Sequence, residues 1–154
     1  MDLSDLIKPE AIVPILKASS KKQALQELAS HAAYLTGQDE RIIFDVLLQR
    51  ERLGSTGVGK GVAIPHGRLT GIDEIFGMFA GLAKPITFDA VDDEPVDLIF
   101  VLLAPEEAGA DHLKALSRIA RLLHEPGIAK SLRGCRDSAG LYSLLTQTAE
   151  SNAA

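Results

Sequence analysis

The sequence predicts an α/β fold: a single domain in which a mixed β-sheet is flanked by helices on both sides. Three observations carry that expectation. Apolar residues recur at helical spacing in two segments before Gly54 and again from Asp111 onward. Between them lies Val96 to Leu103, rich in branched residues and apolar on both faces, as a central strand should be. Helices first, strands in the middle and helices last describe a sheet covered by helices.

The first helix is expected from Lys21 to Leu35, where Leu25, Leu28, Ala29, Ala32 and Leu35 share a face. Ser20 and Gln23 resemble a capping box, and Gly37 is a plausible stop. A second helix is expected from about Asp39 to Leu53, with Ile43, Val46 and Leu47 as its stripe and Arg50 on the same side. An arginine there either snorkels past the core edge or projects into a pocket. Val62-Ala63-Ile64 is a short apolar run ending at Pro65-His66-Gly67, where the chain is expected to change direction. Ile75 to Leu82 reads as a strand, Pro85 to Phe88 as another, and Asp92 to Pro95 as the turn before the central strand. Leu113, Leu116, Ala120 and Leu123 predict a helix from Asp111 to His124. A short helix from Pro126 to Arg133, capped by Gly134, and one from about Ser138 to Thr148 complete the set. The Ser/Asn/Ala tail should fray.

The chain has 154 residues, enough to bury a full core without staples, and no repeat or linker divides it. One domain over 1–154 is expected, with its ordered core at about 3–148. A formal charge of −5, with both signs mixed along the chain, argues against a nucleic-acid partner, which demands a clustered basic face. Cys135 is the only cysteine, which excludes an internal disulfide and suits a reducing, cytoplasmic setting. The N-terminus shows no secretory signal, and the longest apolar stretch, Leu98 to Ala104, is far too short to span a bilayer. No membrane insertion is expected. Zinc is poorly supported, since neither His-x-x-x-His nor Cys-x-x-Cys is present.

The segment Gly54-Ser55-Thr56-Gly57-Val58-Gly59-Lys60-Gly61 imitates a Walker A loop but lacks its magnesium-binding hydroxyl. It also follows a helix and leads into a strand, the reverse of the required order. Four glycines in these eight residues can instead bring backbone N–H groups close to an anion, with Ser55 and Thr56 as hydroxyl donors. The bland alternative is an ordinary connector. His66 stands at a strand end beside that loop, and Pro65 restricts Ile64 to extended geometry. His112 lies in the first turn of its helix and faces inward with Leu116, Ile119 and Leu123. The positive helix end disfavours imidazolium there. His31 and His124 sit among ordinary amphipathic neighbours and read as structural. Neither Ser55 nor Ser117 lies in a nucleophile-elbow context.

The run Arg50-Glu51-Arg52-Leu53-Gly54-Ser55-Thr56-Gly57-Val58-Gly59-Lys60-Gly61-Val62-Ala63-Ile64-Pro65-His66-Gly67 closely resembles the active-site signature of the IIA domains of the bacterial phosphoenolpyruvate-dependent phosphotransferase system, fructose/mannitol class. Asp111-His112-Leu113-Lys114-Ala115-Leu116 is similar to the family's second histidine region. The resemblance implies that His66 is the phosphorylated histidine, modified at Nε2, with His112 and Arg50 in the same pocket. It implies a mixed sheet flanked by helices, an HPr-like phosphocarrier as donor, and no metal or other cofactor. Within the family the chain looks most similar to the free-standing nitrogen-type branch, whose members are implicated in regulating targets such as potassium transporters and sensor kinases. A sugar-type IIA that feeds a IIB shares the motif, and a regulator that docks without phosphorylation is the alternative from another class. Phosphoryl oxygens would be held by Arg50, His112 and the loop residues Gly54, Ser55, Thr56, Gly57, Gly59 and Gly61.

Overall fold

Residues 3–147 are described by the computed structural model. A single 3-10 turn (Leu3–Asp5) leads into strand β1 (Ile7–Leu16), an element absent from the sequence expectation. Helix α1 (Lys21–Thr36) begins where expected: the Ser20 hydroxyl accepts from the Gln23 N–H at 3.1 Å. The reciprocal bond is displaced by one residue, because the Gln23 side-chain oxygen accepts from Ser19 N–H at 2.8 Å rather than from Ser20. Gly37, at φ 74°, adopts the left-handed turn that ends the helix. Helix α2 (Glu40–Arg52) follows, capped by Asp39, whose carboxylate accepts from Ile42 N–H at 3.1 Å.

Three short strands come next, β2 (Gly57–Gly59), β3 (Val62–Ala63) and β4 (His66–Arg68). Strand β5 (Phe76–Ile86) is continuous where the sequence suggests two strands divided before Pro85. Thr87 and Phe88 lie outside it, and its pairing slips between Gly81 and Ile86, which accommodates Pro85 without ending the strand. Strand β6 (Val96–Ala104) and helices α3 (Ala110–Leu123), α4 (Pro126–Arg133) and α5 (Ser138–Leu145) close the described chain. Gly134 caps α4 with φ −84°, so no left-handed residue is used there. The expected extension of α5 to Thr148 and the fraying tail lie outside the described residues.

The six strands form one mixed sheet in the order β1-β5-β6-β3-β2, with β4 also on β6. Strand β6 runs antiparallel to β5 and parallel to β3 and β4. Every residue of β6 except Asp97 is buried, so both faces of the sheet are covered there, as its composition predicts. The expected change of direction at His66 does not occur. Val62 pairs with Leu98 and His66 with Leu102, so the chain passes Ile64-Pro65 and continues in the same register along β6.

Gly67 decides how close α2 comes to β4. A Cβ on Gly67 would lie 2.3 Å from Cγ1 of Val46, a β-branched side chain that is stiff in a helix. Gly67→Ala is therefore expected to lose about 1–3 kcal/mol, as overpacked sites do. Denaturant titration measures it, and adding Val46→Ala should restore most of the loss. A Gly67→Ala chain as stable as the parent would mean that α2 has room to spare.

Candidate functional site

Three elements converge on His66. Strand β4 places it beside Leu102 in the sheet, half-buried. Val46 packs over Gly67, and one turn later on the same face Arg50 reaches the imidazole. Helix α3 supplies His112, only 7% exposed in its first turn, as the sequence predicts. The two imidazoles meet edge to face with centroids 5.6 Å apart.

The tautomer of His66 follows from its partners. Nδ1 lies 2.8 Å from the Ile64 carbonyl oxygen, which can only accept, so Nδ1 carries the proton. Nε2 then presents its lone pair, and Arg50 Nε–H donates to it at 3.3 Å. The other arm of that guanidinium donates from Nη1 to the Gly54 carbonyl at 2.9 Å. Burial holds the His66 pKa below the usual histidine value. The Ile64 carbonyl opposes this, Arg50 adds to it, and the Glu51 carboxylate pulls the other way. The His112 pKa is lowered too, chiefly by burial and then by the charges of His66 and Arg68. His112 Nδ1 is buried and without a hydrogen-bond partner among the described residues.

Both shifts point the same way, which fixes a pH dependence. A ring whose pKa is lowered on folding binds fewer protons folded than unfolded, so stability falls as pH drops through the unfolded value near 6.5 and levels off below the folded one. Denaturant titrations from pH 7.5 to 5.5 should show this loss, and a chain lacking both rings should show less of it. Equal losses would mean that neither ring is held neutral.

The glycine-rich segment is more occupied than its sequence suggests. Ser55 donates its hydroxyl proton to the Phe88 carbonyl at 2.7 Å and accepts from Gly57 N–H at 3.0 Å. Thr56 donates both its hydroxyl and its N–H to the Glu51 carboxylate, and Gly54 N–H donates to the Glu51 carbonyl. The two hydroxyls expected as anion donors are thus turned to protein acceptors. Gly59 and Gly61 have φ of 101° and 78° and shape the β2–β3 hairpin, and Lys60 N–H donates to Asp92. His124 bonds the Gly59 carbonyl through Nε2 at 3.3 Å, and His31 is exposed on α1.

Glu51 is the residue that sequence reasoning misses. It is buried to 7% exposure, whereas Arg50 lies at the edge of the stripe. The signal was its spacing: Glu51 stands four residues after Leu47 and eight after Ile43, both fully buried.

The sequence of residues 5–148 matches the family model of the phosphoenolpyruvate-dependent sugar phosphotransferase system, EIIA 2. The chain belongs to this family. A nitrogen regulatory protein of Bradyrhizobium diazoefficiens is 64% identical over 145 residues, covering 94% of this chain and 95% of that one. A fructose-specific EIIA component of Haloferax volcanii is 31% identical, over 97% of this chain and all of the other. Among solved structures, nitrogen regulatory protein IIA-Ntr from Neisseria meningitidis superposes with a TM-score of 0.88 at 36% identity, covering 94% of this chain and 99% of that chain. The expected EIIA family and its mixed, helix-flanked sheet therefore both hold. No described helix is long and apolar enough to cross a membrane.

Proposed function

We propose that this EIIA-family chain accepts a phosphoryl group on Nε2 of His66 from an HPr-like phosphohistidine carrier, and that free and phosphorylated forms bind regulatory protein targets differently. The observation that carries the reading is the fixed tautomer: the Ile64 carbonyl holds the proton on Nδ1 and leaves the Nε2 lone pair as nucleophile. In the transfer, a bond forms from Nε2 to phosphorus as the bond from phosphorus to the donor ring nitrogen breaks, in line and through a loose transition state. The Nδ1 proton stays on His66, where the carbonyl bond supports the positive charge the ring acquires. Arg50 and His112 are the donors proposed for the phosphoryl oxygens. Gly54, Ser55, Thr56, Gly57, Gly59 and Gly61, engaged with one another and with neighbouring carbonyls, are assigned to shaping the site around them.

The high identity to a protein named nitrogen regulatory supports the regulatory half of the reading. Its targets would be of the potassium-transporter or sensor-kinase kind, in the cytoplasm. Intact-mass spectrometry after incubation with Enzyme I, an HPr-type carrier and phosphoenolpyruvate should show one acid-labile phosphoryl group. No added mass, with the donors active on a control IIA, would end the phosphocarrier reading. Equal affinity of both forms for a captured target would end the regulatory one, and efficient onward transfer to a fructose-type IIB would favour sugar transport instead.

A further inference from the structure

Two hydrogen-bonded paths join Glu51 to the two nitrogens of His66, one from its buried carboxylate and one from its main-chain carbonyl. The Glu51 side chain is 3% exposed and pairs with Lys21 of α1, Nζ to Oε2, at 2.7 Å. Lys21 is itself largely buried and lies 4.8 Å from the centre of the Phe88 ring. On the other side the carboxylate accepts the Thr56 N–H at 3.1 and 3.2 Å and the Thr56 hydroxyl proton. From Thr56 the first path continues through its carbonyl, which accepts Ile64 N–H at 2.9 Å, to the Ile64 carbonyl that holds His66 Nδ1. The second path runs from the Glu51 main-chain carbonyl to Gly54 N–H, and from the Gly54 carbonyl to the guanidinium whose Nε–H sits on His66 Nε2.

We propose that Glu51, anchored by Lys21 and bonded to Thr56, is a positioning residue for phosphoryl transfer, setting through Thr56 the Ile64 carbonyl that orients His66. The inference rests on the phosphocarrier reading for its rate consequence but not for its geometric one. A buried ion pair is often no better for stability than well-packed apolar residues of the same volume, which leaves the geometry it imposes as the role proposed for it here. Thr56 is the joint in that geometry: 3% exposed, it is held by Glu51 through both donors while its carbonyl fixes the strand-end residue that precedes Pro65. Displacing the Ile64 carbonyl loosens Nδ1 of the nucleophile, and small errors in a reacting group's alignment cost rate steeply.

The experiment uses the full chain with Glu51→Gln, Thr56→Val and Thr56→Ser. The first removes the charge that Lys21 faces, the second the hydroxyl alone, and the third restores the hydroxyl. Single-turnover transfer from the phosphorylated carrier should slow about tenfold in the first two, with half-saturation by the carrier unchanged, and recover in Thr56→Ser. Nitrogen-15 spectra of the imidazole, which need no phosphoryl donor, should show His66 almost wholly as the Nδ1–H tautomer in the parent and in Thr56→Ser. Glu51→Gln and Thr56→Val should mix the two tautomers. If Glu51→Gln does not fold, Thr56→Val decides alone. Folded variants with parental tautomer and parental rate would overturn the proposal. A parent chain that takes no phosphoryl group would sink the phosphocarrier reading, and the tautomer spectra would still decide the positioning role.

Discussion

Replacing His66 with alanine is expected to abolish phosphoryl acceptance while leaving the fold in place. The side chain is half-buried at the start of a three-residue strand and lies outside the hydrophobic core. Its loss removes two side-chain hydrogen bonds, to the Ile64 carbonyl and from Arg50, and leaves the β4–β6 backbone pairing untouched. The cost to stability should be about 1 kcal/mol, near the centre of the range for point substitutions. His112 is a poor substitute nucleophile, because it is nearly enclosed and its Nδ1 has no partner among the described residues to fix the tautomer. Intact mass after incubation with phosphorylated carrier, beside circular dichroism of the same sample, makes the test. A His66→Ala chain that still gains a phosphoryl group would move the acceptor elsewhere.

His112→Ala should slow transfer about a hundredfold, the usual loss on removing one donor to a developing oxyanion. The ring stands in the first turn of α3 with its centroid 5.6 Å from that of His66, and burial keeps it neutral at pH 7. A neutral imidazole offers one N–H, and a buried polar atom without a protein partner is costly unless something else supplies one. His112→Gln keeps a side-chain N–H and should recover part of the rate. Stopped-flow transfer at saturating carrier separates the effect from docking. An unchanged rate in a folded His112→Ala chain would reduce the ring to packing.

Much of the frame is legible in the sequence because local chemistry marks it. Ser20 and Gly37 bound α1, Asp39 caps α2, and Pro126 opens α4, each through a bond or dihedral that belongs to that residue type. Strand β1 is not legible, since Lys8, Pro9 and Glu10 interrupt it and Pro14 recurs near its end. Prolines are tolerated there because β1 is an edge strand, a fact that only the topology reveals. Leu113 shows the limit of spacing arguments. It fits the apolar interval of α3, yet it is 69% exposed, and Ala115 fills the core instead. At the site, His66, His112 and Arg50 are brought together as the sequence and its family resemblance anticipate. The directions taken by Ser55 and Thr56 depend on Phe88 and on a buried Glu51, contacts that no motif spacing encodes.

The Arg50 bond to Nε2 has a consequence for selectivity. A neutral imidazole will ligate transition metals and attack many electrophiles, and this one is half open to solvent. Its lone pair is nevertheless stoppered by a guanidinium N–H at 3.3 Å. A metal cation is repelled by the stopper, and an uncharged electrophile gives the guanidinium nothing to turn to. A phosphoryl dianion would offer it a stronger, forked acceptor than a ring nitrogen, and so would draw it aside on arrival. Under the proposed transfer, the charge of the incoming group would be the key that uncovers His66, and the resting ring would be shielded from reagents that lack it.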